Sequence, residues 1–221
     1  QKKSISDKLW SSQGFSDREI TDPEIKEPVL RISKQLLRTR HPDVSVHIVY
    51  ASDINAYTLP GNHIVLTTGL ILNSKSPEEL SAVIAHELGH VLGHHVSKNI
   101  AKEVLIYAVQ RVTGEEIGTL IFKSTLENVS SLAYQRELQK EADQLASQLL
   151  GSSSIDPIHL GTFLERNAQK NAAGWMSTHP NPEHRIELIK SARKSASYST
   201  GKILTESEWT VFRNLVKEAQ N

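Results

Sequence analysis

The chain has 221 residues, 38% hydrophobic and 23% charged, an ordinary globular composition with enough apolar material for a sizeable core. Lys+Arg and Asp+Glu balance at 25 each, which excludes the broad positive field that nucleic acid or anionic lipid would demand. There is no cysteine, so disulfides and thiolate metal sites are excluded and any metal must rely on His, Asp or Glu.

Residues 1–21 are polar and aperiodic apart from Trp10 and Phe15, and read as a loose arm before a single domain at 22–221. From Asp22-Pro23 to about Arg40, the spacing of Ile25, Val29, Leu30, Ile32, Leu36 and Leu37 predicts an amphipathic helix. Its cationic cluster, Arg31, Lys34, Arg38 and Arg40, reads as a solvated face. VSVHIVY at 44–50 alternates and is β-branched, so it predicts a strand. Ala56–Leu59 and HIVLT at 63–67 predict two more, with a turn at Pro60-Gly61-Asn62. Ser76-Pro77-Glu78-Glu79 carries a helix start with a capping box, and that helix is expected to run to about Arg111 before Thr113-Gly114 breaks it. After an irregular stretch comes a helix from about Leu126 to Leu150, ended by Gly151. Shorter helices are expected at about 156–170, 182–194 and 206–219, the last with a capping box of Thr205 and Glu208. The outline is α+β, mainly helical with one small sheet. No apolar run approaches the roughly 20 residues of a membrane span. The chain opens Gln1-Lys2-Lys3 rather than on Met, which reads as a removed leader and points to export; any membrane attachment would run through that leader or a lipid anchor.

The chemistry centres on AHELGHVLGHH, residues 85–95. His86 and His90 are four apart, hence on one helical face one turn from each other, and two imidazoles so placed can reach one ion. Glu87, beside the first, can reach a water without taking a coordination position. This is the division of labour of HExxH zinc hydrolases, in which zinc acidifies a water, polarises the scissile carbonyl and Glu acts as general base. The Val83-Ile84-Ala85 run ahead of the motif buries that face, where His and Glu need partners that a metal can provide. His94 lies too far along the axis and His95 about 140° round it, so both read as structural or surface histidines. The metzincin position for a third His holds Val96.

Four stretches in order resemble the HtpX/BepA/LoiP-type zinc metallopeptidases, the family of the CAAX prenyl protease. They are NAYTLPGNHIVLTTGL (55–70), HELGHVLGHH, YQRELQKEAD (134–143) and STHPNPEHRI (177–186). The resemblance implies a zincin-like core with the small sheet beside the HExxH helix, a Zn2+ cofactor and peptide or unfolded-protein substrates. No membrane-spanning helices are read in the chain, which fits the soluble periplasmic branch and an action on misfolded or unassembled envelope proteins. Aligned on that family, the third metal ligand falls at Gln139, where the family has Glu. Three readings follow. Gln139 is an introduced, inactivating Glu→Gln change, the preferred one because the shape is kept and the charge removed; or it is a natural weak ligand; or Glu137 or Glu141 binds after a change of helical register. The resemblance further implies that Asp143 supports a ligating His by a hydrogen bond, and that His95 matches a histidine common in the family. It places His179 near or on the metal, able to block the water's position. Arg185 is expected close by, pairing with a carboxylate or with the oxyanion.

Either the strand around Asn55–Leu59 or that at 63–67 is expected to form a peptide-receiving edge above the metal, with 112–130 as a lid. The sequence therefore reads as a zinc-dependent endopeptidase of the periplasm or cell envelope. The alternative is a non-catalytic client-binding protein on the same fold, favoured by Gln139.

Overall fold

A computed structural model describes residues 15–38, 43–99, 132–169, 175, 179, 182–193 and 202–220. The proposed lid at 112–130, the break at Thr113-Gly114 and the first part of the arm lie outside the described residues. The architecture is α+β, mainly helical with one small sheet.

Strand β1 (Ser45–Val49) runs parallel to β3 (His63–Thr67), and β2 (Ala56–Leu59) runs antiparallel to β3, giving the order β1-β3-β2. β3 is therefore central, which explains why Ile64, Val65 and Leu66 are all buried rather than alternating. Of the two strands expected to offer an edge, β3 is paired on both sides, and among the described residues β2 is paired on one. The register pairs Thr58 with Ile64 and Ala56 with Leu66, and β1 sets Val46 and Ile48 beside the same two residues. These six side chains share one face of the sheet, because side chains alternate along a strand. The β2–β3 turn needs positive φ at Gly61 (83°) and Asn62 (61°), a conformation these two residue types tolerate best.

The expected arm is not loose throughout. Ile20 donates its N–H to the Ile48 carbonyl and Tyr50 donates to Arg18, so residues 18–20 lie against β1 with Ile20 buried. Glu19 adds an ion pair to Lys26 at 3.2 Å and a contact with His47 at 2.8 Å. The predicted alternation of β1 is kept, but the outward His47 contacts this segment rather than open solvent.

Helix α1 (Pro23–Leu37) starts as its sequence dictates. Asp22 accepts from the Glu24 N–H, Pro23 takes the first turn, and Ile25, Val29, Ile32 and Leu36 form the buried stripe. Short α2 (Thr68–Asn73) follows β3 directly. Helix α3 (Pro77–Leu92) is buried on nearly every side, the mark of a helix inside a core rather than on it. Ser76 caps it by accepting from Glu79 N, but the expected reciprocal box is absent. The Glu79 carboxylate instead accepts from Lys75 N at 2.8 Å and pairs with Arg166, at 2.5 and 2.9 Å.

α3 also ends far short of Arg111. It stops at Leu92 with Gly93 as its cap, and His94 adopts φ 54°, turning the chain ahead of the helical residues 95–99. Helix α4 (Leu132–Ser152) packs along α3. Gly151 lies inside it rather than ending it. Closure comes from Ser154 at φ 59°, with Ile155 N donating to Leu150 O and Ser154 N to Gly151 O, a Schellman arrangement. Helices α5 (Ile158–Gln169) and α6 (Pro182–Arg193) follow, packed on one another. The last helix, α7 (Glu206–Glu218), has the Thr205–Glu208 capping box that its sequence predicts, and Glu208 also binds Arg31 of α1 at 2.7 Å.

Candidate active site

Helix α3 supplies the centre of the site. Its i, i+4 spacing sets the His86 and His90 Nε2 atoms 3.1 Å apart with the rings nearly perpendicular, and Glu87 lies between them in sequence, 1% exposed. Helix α4 delivers the opposite wall. Gln139 is 5% exposed, and its Nε2 lies 3.5 Å from His90 Nε2. α4 runs unbroken through residues 137–141. Glu137 is exposed, and the exposed Glu141 turns toward His95 and Lys98. The register-change reading is thereby corrected: the α4 side chain that faces the histidine pair is the amide, not a flanking carboxylate.

Asp143, one turn beyond Gln139, accepts at 2.8 Å from His86 Nδ1. That bond puts the His86 proton on Nδ1 and leaves the Nε2 lone pair directed at His90. Arg185 grips the same carboxylate with both faces of its fork, Nε to Oδ2 at 2.7 Å and Nη2 to Oδ1 at 2.8 Å, and donates to the His179 carbonyl at 3.3 Å. Of the two partners expected for Arg185, a carboxylate and the oxyanion, its guanidinium holds the first.

The charges follow from burial. Enclosure, helped by the nearby Arg185 cation, pushes the His86 pKa down from 6.5 to about 3, against the pull of Asp143. Burial and the adjacent His86 hold His90 well below 6.5 as well. Burial would raise Asp143, but Arg185 and His86 outweigh it and keep the carboxylate ionised. Burial would likewise raise Glu87, yet His179, His90 and Thr58 together hold it below the usual carboxylate value.

His179 reaches the cluster from outside α3 and α4. It is stacked on the buried Trp175, with centroids 3.8 Å apart, and Trp175 N donates to Ile54 O, tying this segment to the strand region. His179 Nε2 lies 3.3 Å from Glu87 Oε1, an ion-pair distance outside hydrogen-bond geometry. Among the described residues, His86, His90 and His179 form the group whose ligand atoms all fall within 4.8 Å of one another.

His95 behaves differently from expectation. On a continuous helix it would have pointed away from His90. The turn at Gly93 and His94 instead folds it back, so that its Nδ1 lies 2.8 Å from His90 Nδ1 and its Nε2 3.2 Å from Glu141. His94 is exposed, as expected.

The donor set fits a small divalent cation. With its proton on Nδ1, His90 matches His86, and two neutral imidazoles then aim lone pairs at each other across 3.1 Å. Bonds of about 2.0–2.1 Å to one tetrahedral ion place two nitrogens roughly 3.3 Å apart. The buried Gln139 Oε1 has no hydrogen-bond partner among the described residues, and an amide turned by half a rotation would direct that oxygen toward the pair.

With this geometry in place, residues 19–193 match the sequence profile of Peptidase family M48. The chain belongs to that family. Its relatives include the mitochondrial metalloendopeptidase OMA1 of Arabidopsis thaliana, 29% identical over 194 residues, covering 85% of this chain and 39% of that protein. The OMA1 of Schizosaccharomyces pombe is 26% identical over 152 residues, 66% and 45% of the two chains. The beta-barrel assembly-enhancing protease of Escherichia coli is 26% identical over 180 residues, 73% and 36%. The chain thus spans about two fifths of the length of the curated relatives it matches. The M48 match contains every residue of the site, while α7 lies beyond it. Among the described residues no helix is long and apolar enough to cross a membrane.

Within this M48 site, sequence reading missed Trp175 and Thr58. Trp175 precedes His179 by four residues, a helical spacing that signals a ring partner. Thr58 had a clearer signal, a hydroxyl on the inward face of an otherwise aliphatic strand layer.

Proposed function

We propose that the chain is a metal-dependent endopeptidase, with residues 22–221 forming one catalytic domain. The observation that carries this is the convergence of the His86 and His90 Nε2 atoms beside a buried, ionised Glu87. Zn2+ held by His86 and His90, with Gln139 or His179 as third group, would supply Lewis acidity toward a water and the scissile carbonyl. Glu87 takes a proton from the attacking water and returns it to the leaving amine. Asp143, braced by Arg185, keeps the His86 ring in the tautomer that offers Nε2 inward. The β2 edge is the place for an extended peptide to add as a further strand, which holds a main chain with little demand on its sequence.

The substrate class we assign is unfolded or unassembled protein of a cell envelope. The relatives named for beta-barrel assembly support it, while the OMA1 relatives are mitochondrial by name; fractionation of a tagged full-length protein separates the two locations. A second reading, a client-binding protein without turnover, draws on one observation: the position facing the histidine pair is a neutral amide.

Restoring a carboxylate separates the readings. A charge pair a few ångströms apart is worth about 4 kcal/mol at an effective dielectric near 20, so Gln139→Glu is expected to tighten zinc retention against a chelator on the order of a hundredfold or more. It is also expected to raise casein cleavage, with Glu87→Gln as the inactive control. If the chain and Gln139→Glu both bind zinc and neither cleaves unfolded protein, the peptidase reading fails and the client-binding one stands.

A further inference from the structure

Thr58 is a polar residue where the sheet needs an apolar one. On strand β2 it shares the inner face with Ala56, and across the ladder with Ile64, Leu66, Val46 and Ile48. A hydroxyl there must find a partner. Its partner is Glu87: Thr58 Oγ1 lies 2.6 Å from Glu87 Oε2 and 3.2 Å from the Glu87 carbonyl. A hydroxyl has one proton to donate, and the shorter contact is to the charged acceptor, at the distance of a charge-assisted O–H···O⁻ bond. The Glu87 carbonyl is the lesser partner.

We infer that Thr58 is a positioning residue for the general base, clamping one carboxylate oxygen of Glu87 so that the other is held toward the metal cluster. The inference rests on the peptidase reading. With Oε2 bound to the strand, the plane of the carboxylate is set, and Oε1 is the atom beside Nε2 of His179, one of the three histidines that could share a cation. The β-branched side chain suits the role. Its χ1 is stiff on a strand, and its methyl group fills the aliphatic layer while the hydroxyl faces α3. Tyr57 and Leu59, its neighbours in sequence, point to the opposite face and cannot substitute. The inner face of the strand thus meets the base.

Thr58→Val keeps the branched shape and removes the hydroxyl; Thr58→Ser keeps the hydroxyl. Both are made in the chain as it stands and with Gln139→Glu. The expected result for Thr58→Val is a fall in kcat of about ten- to a hundredfold, the scale for losing a hydrogen bond to a charged group, with KM within about twofold. Thr58→Ser is expected to recover kcat to within about threefold, and bound zinc per chain to be equal in all variants. A readout independent of turnover is the crystal structure of the metal-free Thr58→Val protein, in which the Glu87 carboxylate is expected to leave its single orientation. The inference is overturned if that orientation is unchanged, if kcat is unchanged, if the loss appears in KM or zinc content, or if serine does not restore the rate. Should no variant cleave protein, the peptidase reading is lost, and the position of Glu87 in the metal-free structure still decides whether Thr58 holds it.

Discussion

At the scale of single residues, the site is built in pairs, each inward side chain held by an outward partner. His86 has Asp143, His90 has His95, and Glu87 has Thr58. The most heavily engaged partner is Asp143, whose two oxygens take three bonds from Arg185 and His86. Arg185 is 3% exposed, so its charge has no solvent to fall back on. Asp143→Asn is therefore expected to cost more than a lost hydrogen bond, about 3–5 kcal/mol, because it leaves a buried cation without its counter-charge. Urea unfolding of the metal-free protein measures this without reference to activity; a change under about 1 kcal/mol would show that Arg185 finds another partner. Asp143 itself was legible in YQRELQKEAD through the family resemblance, which implied its hydrogen bond to a histidine of the pair. The resemblance set Arg185 against a carboxylate or the oxyanion, but that the carboxylate is Asp143 was not legible, because the pair is 42 residues apart and only the fold joins them.

At the scale of elements, the decisive contact is the approach of α4 to α3. Gly89 stands in the HExxH stretch, between Glu87 and His90, and a Cβ built on it would lie 2.5 Å from the Ala142 carbonyl. The backbone of α4 cannot yield as a flexible side chain could, so Gly89→Ala is expected to push the helices apart. The expected cost is about 1–3 kcal/mol, with Gln139 and Asp143 carried away from the histidines and zinc affinity falling with stability. Differential scanning calorimetry and chelator competition check the two together; an unaffected zinc affinity would mean that α4 moves without its site residues. The existence of the longer helices was legible from periodicity and caps, whereas the six-residue helix Thr68–Asn73 was not read and several ends were not. The predicted α3 ran past its true end because 93–111 stays helix-compatible in pattern, and what stops it is a left-handed His94, a backbone choice that no side-chain period reveals. The Ser76 box failed for a long-range reason, since Glu79 was drawn to Arg166, 87 residues on.

At the scale of the whole molecule, strand order and the convergence of β2, α3, α4 and the His179 segment are matters of non-local pairing. Motif order in the sequence pointed to the convergence only through resemblance. Burial of that convergence gives the molecule a pH signature. The folded chain holds His86 near 3 and His90 well below 6.5, while an unfolded chain protonates both near 6.5. Between these values the unfolded state binds more protons, so stability rises with pH and is lost as pH falls below about 6.5. Depression of Asp143 acts in the same direction, but only at lower pH, where the unfolded carboxyl titrates near 3.8. The interval from pH 7 to 5 therefore isolates the imidazoles. In the presence of EDTA, Tm is expected to fall through that interval, by an amount on the order of a few kcal/mol in stability, and a variant with both His86→Gln and His90→Gln is expected to lose most of that slope, the remainder coming from His95, which burial also holds below 6.5. On the peptidase reading, zinc at a hundred times its dissociation constant is expected to add about 2.7 kcal/mol to the native state and to raise Tm at pH 7. If the metal-free protein and the double variant show the same slope between pH 7 and 5, the histidines are not held neutral by burial, and the lone pairs assigned to a cation are occupied by protons instead.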